Sequence, residues 1–302
     1  MLVTRRAWIA AAGSMMIACQ RKLVRRLTYR IELDPGSPLT VLQALVQARP
    51  VVYERLTDLG ILGPKVDFNG DTLVVALPAL DDHLLAAAKW ALGRRGRVGF
   101  TIVDDETDVF AGLPETPSAT GIAFEQESVR VGAGFAQRRY ATTAIRAGES
   151  PDEACARLQA YVRGVALPAS RVFALERQFA ASSPNHQDSW RSYVLVEPSA
   201  LANEDVAAAS QIITGLLVSF KHAGAEKLAT LTRANVHRRL AVAVDGVVVA
   251  VMMIESPIEG GHALVSGSAG PHGKEGVVRL EMFLRGKPMP VALSLVADDA
   301  IR

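Results

Sequence analysis

FKHAGAEKLATLTRANVHRRLAVAVDGVVVAVMMIESPIEGGHALVSG, residues 220–267, sets four elements in an unbroken order. An amphipathic helix begins near Ala223. Two β-prone runs then meet at Asp245-Gly246, a dipeptide that predicts a hairpin turn. A Pro257-Ile258-x-Gly260-Gly261 loop follows, and a strand ending at Gly267 closes the stretch. Asp245 therefore reads as a turn former ahead of a catalytic acid.

Upstream, Leu27 to Leu33 predicts a strand, and Ser37-Pro38 a helix start. Leu42, Leu45 and Val46 recur at helical spacing until Pro50, where a kink or a fresh start is expected; Gly60 ends the helical pattern. Val66 to Leu77 predicts a hairpin about Asn69-Gly70 of type I′. Asp81 or Asp82 caps a second helix carrying Leu84, Leu85, Ala88 and Leu92, closed by Gly93. Val98, Phe100 and Ile102 then alternate as a strand, which completes a β-α-β-β-α-β, ferredoxin-like order. Residues 105–120 predict a loop, as do Ser182 to Asp188. Ser150-x-x-Glu153 with Pro151 forms a capping box that opens a helix to Val162. A last helix is expected from Lys274 to about Leu284, and a last strand from Val291 to Val296.

This order resembles the first large periplasmic domain of SecD, the accessory subunit of the bacterial Sec translocon. The family's L-T-x-x-N helix end corresponds to Leu231, Thr232 and Asn235. Its R-L-A-x-x-x-D-G-x-V run corresponds to Arg239, Leu240, Ala241, Asp245, Gly246 and Val248, and its P-I-x-G-G loop to Pro257, Ile258, Gly260 and Gly261, with Gly267 ending the following strand. Leu59-Gly60 and Val75-Ala76-Leu77-Pro78 resemble the family's base, and Leu201 and Asp205 its L-x-x-x-D stretch. The resemblance spans about Leu27 to Val296. It implies an α+β fold: a ferredoxin-like base (βαββαβ) with an inserted α+β head. The implied division is an export signal over 1–18, a basic tether over 19–26, the first part of the base over 27–112, the head with its preceding helix-strand region over 113–270, and a return to the base over 271–302.

The N-terminus carries Arg5 and Arg6, an apolar or small run from Ala7 to Ala18, and then Cys19. That pattern is an export signal, and its apolar run is shorter than the ~20 residues that span a bilayer. Met16-Ile17-Ala18-Cys19 resembles a lipobox, which would make Cys19 the acylated mature N-terminus. The other readings are an ordinary cleaved signal, and an uncleaved anchor or misassigned start. Arg21, Lys22, Arg25 and Arg26 behind it serve either as a tether attracted to anionic headgroups or as a solvated start to the first strand. Of the 302 residues, 49% are hydrophobic and 21% charged, with a net charge of +2. Without Arg5 and Arg6 the chain is near neutral, which provides no electrostatic footprint for nucleic acid.

No residue set supports catalysis. Asp104, Asp105, Glu106 and Asp108 lack EF-hand spacing and read as a solvated loop. His262 and His272 have no zinc-type companions at the required spacing. Ser266 to Gly270 misses the nucleophile-elbow register, and Gly132-Ala133-Gly134 lacks the third glycine of a dinucleotide loop. Cys155 reads as a small buried apolar residue. His237-Arg238-Arg239 follows the helix from Ala223 and is expected to offset its dipole. Met252 and Met253 alternate, one inward and one outward, with one available to a groove. Catalytic, metal and cofactor sites are therefore all expected to be none, and the polypeptide-binding residues stay unassigned.

The resemblance implies a periplasmic, lipid-anchored binding protein that holds unfolded exported polypeptide or assists the Sec translocon. SecD's membrane-helix bundle has no counterpart before Arg302, so binding without proton-driven movement is the expectation. The alternative is a structural or assembly lipoprotein of the envelope on the same fold. Fold alone does not choose between them.

Overall fold

Leu23–Glu32 (β1), Val41–Asp58 (α1), Lys65–Asn69 (β2), Thr72–Pro78 (β3) and Asp82–Leu92 (α2) come first in the computed structural model, which describes residues 23–114, 120–180, 187–266 and 279–301. They join the strand Ala292–Ala300 in one unit, and Arg94–Pro290 make a second. The first unit's sheet runs in the order Ala292–Ala300, β1, β3, β2. Its core holds Leu27, Tyr29, Leu45, Leu56, Leu73, Leu77 and Leu92.

Local signals explain the helices. The first cap is Thr40, not Ser37: the Gln43 N–H donates to Thr40 Oγ1 at 3.3 Å, and the Thr40 N–H donates to Gln43 Oε1 at 2.9 Å. Helix α1 runs through Pro50 without restarting, because Ala48, Val51 and Val52 are buried and hold the next turn in place. It ends in a Schellman motif. Gly60 has φ +77° and donates to Thr57 O at 2.8 Å, while Ile61 donates to Leu56 O at 2.9 Å. The β2–β3 turn is displaced by one residue from the expected Asn69-Gly70. Asn69 pairs with Thr72, so Gly70 and Asp71 form the loop, and the positive φ falls on Gly70 alone, as a II′ turn requires.

The second unit comprises Val98–Ile102 (β4), Ala123–Val131 (β5), Gly134–Ala144 (β6), Pro151–Val162 (α3), Arg171–Gln178 (β7), Ser189–Val196 (β8), Leu201–Ala202 (β9), Val206–Ile212 (β10), Gly215–Phe220 (β11), His222–Ala234 (α4), Arg239–Val244 (β12), Val247–Met253 (β13) and His262–Val265 (β14). An eight-stranded sheet has the order β5-β6-β8-β7-β13-β12-β4-β9, and a three-stranded sheet the order β10-β11-β14. On one face of the larger sheet Val129, Tyr140, Tyr193, Leu195, Ala241 and Val248 pack together. On the other, Ala141, Leu175 and Trp190 pack with Ala154 and Leu158 of α3. Helix α3 opens with the expected capping box, Ser150 with Glu153.

One correction concerns the base. The strand Val98–Ile102 does not complete the base: Phe100 pairs with Val242 of β12 and Gly99 with Ala202 of β9. The fourth strand of the base is Ala292–Ala300, so the ferredoxin-like order closes only at the end of the chain. Alternation along a strand reports its buried face and says nothing of its hydrogen-bonded neighbours. Gly132-Ala133-Gly134, already short of a dinucleotide loop by its third glycine, forms the tip of the β5–β6 hairpin, with Val131 paired to Gly134 and Gly132 at φ +59°.

Candidate functional site

The three-stranded sheet presents two unlike faces. Leu216, Val218, Phe220, Ala263 and Val265 are buried, while the alternate residues Leu217 and Leu264 stand opposite each other across β11 and β14, 36% and 45% exposed. At the β10–β11 tip Ile212 and Ile213 are exposed as well. Neither the outer edge of β10 nor that of β14 forms a ladder with another strand among the described residues. The surface thus offers an apolar cross-strand pair and two rows of backbone groups.

Helix α4 braces this sheet. Lys221 donates its N–H to Asp205 O at 2.8 Å, and an added Cβ at Gly224 would lie 2.6 Å from that same oxygen. Asp205, itself buried, accepts from Ala202 N at 3.0 Å and from Lys227 Nζ at 2.7 Å. At the other end Thr232 Oγ1 donates to Leu228 O at 2.8 Å and accepts from Ile258 N at 2.9 Å, which pins the Pro257–Gly261 loop to the helix. Gly261, at φ +68°, passes so close to Ala225 that a Cβ would meet its methyl at 2.9 Å. The loop then returns to the sheet through Phe220 N, which donates to Gly261 O at 2.9 Å.

Beside this surface the larger sheet holds a buried charge network. Asp104 and Asp105 are only 4% and 7% exposed, so the expected solvated loop is wrong for both. Asp104 accepts from Arg171 Nε at 2.5 Å and from the N–H groups of Glu106 and Thr107 at 3.1 Å. Asp105 accepts from Arg239 Nε at 2.7 Å and from the Tyr140 hydroxyl at 3.1 Å. Arg239 is therefore no dipole cap for α4. It begins β12, lies buried, and also donates to Glu127 Oε2 at 3.2 Å. Arg191 donates to that same Glu127 oxygen and stacks 3.9 Å from the Tyr140 ring centroid. Burial alone would raise the Glu127 carboxyl, but the two guanidiniums outweigh it and hold it below the usual range. Glu176, more deeply buried, goes the other way: desolvation raises it despite a hydrogen bond from the Tyr193 hydroxyl at 3.1 Å.

Above the network a cleft of about 220 Å³ opens between residues 127–130 of β5 and a wall made by Arg239, Met253 and Glu255. Met253 pairs with Arg239 across β12 and β13, so the two share a face.

Residues 179–291 match the family model described as SecDF, P1 head subdomain. Over those residues the chain is similar to the head of SecDF. Protein translocase subunit SecD of Acidaminococcus fermentans is 34% identical over 84 residues, 28% of this chain and 19% of that protein. Protein translocase subunit SecD of Magnetococcus marinus is 22% identical over 262 residues, 85% of this chain and 39% of that protein. The chain thus spans well under half the length of these relatives. A crystal structure of SecDF in a super-membrane-facing form superposes with a TM-score of 0.55 at 21% identity, covering 93% of this chain and 30% of that one. A second structure, of SecDF as a membrane component that enhances protein export, gives 0.53 at 21% identity and covers 91% of this chain and 100% of that one. The α+β fold is that of a SecD periplasmic domain.

The motif residues of the SecDF head now have physical roles. Thr232 and Asn235 finish α4, where Asn235 Nδ2 donates to Leu231 O at 2.8 Å. Asp245 and Gly246 make the I′ hairpin at φ +49° and +79°, and the Asp245 carboxylate accepts from Gly96 N and Arg97 N at 3.0 Å. His262 lies on the exposed face of β14 with Nδ1 2.9 Å from Ser219 Oγ. Cys155 is buried in the α3 face, and burial raises its thiol. Met253 is exposed and Met252 half-buried. Cys19, Arg21, Lys22, Gly267, His272 and most of Ser182 to Asp188 lie outside the described residues. Among the described residues no three His, Cys, Asp or Glu converge as metal ligands, and no helix is long and apolar enough to cross a membrane. Sequence reasoning missed the charge network and the cleft, since their residues come from separate strands.

Proposed function

We propose that this chain is a binding protein on the periplasmic side of the cell envelope, anchored to the membrane through an acylated Cys19, that holds unfolded segments of exported polypeptides beside the Sec translocon. The observation that carries this reading is the open face of the head sheet, where Leu217 and Leu264 stand paired and exposed between two unladdered edges. An extended polypeptide added to such an edge gains main-chain hydrogen bonds whatever its sequence, and alternate side chains then meet the apolar pair. Exposed edges are a liability that folds usually blunt, so their presence beside exposed leucines suits a surface that is filled in use. The SecDF head match and the export signal support the setting.

In-cell photo-crosslinking from Leu217, His262 and Leu264 tests it. Many secreted or outer-membrane polypeptides should be trapped, and only while export is under way. A single folded envelope protein, trapped regardless of export, would overturn the reading in favour of a structural lipoprotein.

A further inference from the structure

Glu176 accepts a hydrogen bond from the Tyr193 hydroxyl at 3.1 Å and has no cationic partner among the described residues, although a cation stands directly across from it. Its cross-strand neighbour on β8 is Arg191. Opposed residues of an antiparallel pair share a face, with Cβ atoms about 5 Å apart. Arg191 instead turns towards β5. Its Nη2 donates to Glu127 Oε2, its Nη1 lies 4.0 Å from Glu125 Oε1, and its Nε, shut off from water, donates to nothing among the described residues. A carboxyl lacking a cation thus faces an arginine with a spare donor. The other groups around Glu176 are Arg239 of β12 and Glu127 of β5, and β13 opposes it with the uncharged Val248. Tyr140 of β6 lies 3.9 Å from the Arg191 guanidinium and 5.6 Å from that of Arg239. Desolvation outweighs the attraction of both guanidiniums and raises the Glu176 carboxyl.

Arg191 also marks a fork in the sheet. The β6–β8 ladder stops at the Thr142–Arg191 pair. Further along β8, Leu195 bridges to Val103, and Val194 O accepts from Asp104 N. From Ala141 to its tip, the polar ties of the β5–β6 hairpin to the rest of the sheet therefore run through side chains. Ala141 N donates to Ser192 Oγ, Arg138 and Tyr140 hold Asp105, and Glu127 holds Arg191 and Arg239.

We propose that Arg191 is a proton-controlled latch on the β5–β6 hairpin. With Glu176 protonated, Arg191 closes on Glu127. When Glu176 releases its proton to solvent, Arg191 turns its spare Nε–H to the new carboxylate and slackens its hold on Glu127, because a charge-assisted bond replaces an unused donor. Glu127 then keeps Arg239 alone, so the hairpin loosens without detaching.

Carboxyl NMR of the full chain carrying labelled glutamate tests this, together with hydrogen exchange at the hairpin amides corrected for the intrinsic pH dependence of exchange. One carboxyl signal, absent from Glu176→Gln, should titrate above the ordinary glutamate value of about 4.3. Protection over residues 126–139 should fall about fivefold across that same midpoint. Glu176→Gln mimics the protonated state and should hold the hairpin protected at every pH; His237, beside β5, is common to both proteins and cancels in the comparison. Glu127→Gln separates partner exchange from simple repulsion. It frees Arg191 for Glu176 and should lower the Glu176 midpoint by about one pH unit, whereas Glu125→Gln removes an equal charge without breaking a hydrogen bond and should lower it far less. An ordinary Glu176 midpoint, a pH-dependent hairpin in Glu176→Gln, or equal shifts in the Glu127 and Glu125 variants would each overturn the latch.

Discussion

Arg239 and Asp105, 134 residues apart in sequence, meet as a two-pronged ion pair in which Nε donates to Oδ2 at 2.7 Å and Nη2 donates to Oδ1. Both side chains are about nine-tenths buried. The pair ties the start of β12 to the segment that follows β4, and through Tyr140 and Glu127 it reaches β6 and β5. A buried pair of this kind contributes little net stability over an apolar pair, yet losing one partner is costly because the other charge stays desolvated.

Arg239→Ala should therefore destabilise the second unit by about 3–5 kcal/mol. The double variant Asp105→Leu with Arg239→Met should lose much less, because neither charge is stranded. Urea denaturation midpoints decide this, and equal losses in the two variants would refute it.

Gly224→Ala should reverse the usual sign. Replacing a helical glycine with alanine normally stabilises by about 0.5–1 kcal/mol. Here the new Cβ would lie 2.6 Å from Asp205 O, a backbone atom that cannot step aside. A loss of about 1–3 kcal/mol is expected instead, measured by thermal denaturation.

Thr232→Val keeps the shape of a fully buried side chain and removes the acceptor for Ile258 N. The stranded N–H should cost about 1–3 kcal/mol, and hydrogen exchange at Ile258 should accelerate. Thr232→Ser keeps the hydroxyl and should leave that amide protected.

Asp298 predicts a pH dependence for the first unit. Hydrogen bonds from Arg25 and Lys89 hold its carboxyl at about 2, below the ordinary aspartate value of about 3.9. The folded state thus binds its proton less readily than the unfolded chain. The stabilising contribution is complete above the unfolded value and is lost as pH falls through the folded one. Asp298→Asn should flatten the fall in urea midpoint between about pH 4 and pH 2, and an identical slope in both proteins would exclude this role.

Legibility in the sequence followed the range of the interaction. The Ser150–Glu153 box and the Asp245-Gly246 turn were readable because each is decided within a few residues. Ser37 predicts the first helix cap but Thr40 serves, since two cap-forming residues stand close together and only the reach of Gln43 chooses between them. Pro50 predicts a kink or a fresh helix start, yet α1 continues through it as one helix, because apolar burial on its inner face outweighs the one hydrogen bond that proline forgoes. The acidic run near Asp105 read as solvent-facing because its partners, Arg171 and Arg239, lie far along the chain.

The sequence by itself determined the α+β character, the spacing of helices and turns, and the kinship of the stretch from Phe220 to Gly267. These rest on period, cap and turn chemistry, which act between near neighbours. Only the tertiary structure decided that Ala292–Ala300 rather than Val98–Ile102 closes the base sheet, that Arg239 neutralises Asp105, and that the free edge of β5 walls a cleft. Strand pairing and charge pairing over such separations depend on which surfaces meet once apolar faces are buried, and no local pattern in the chain records that choice.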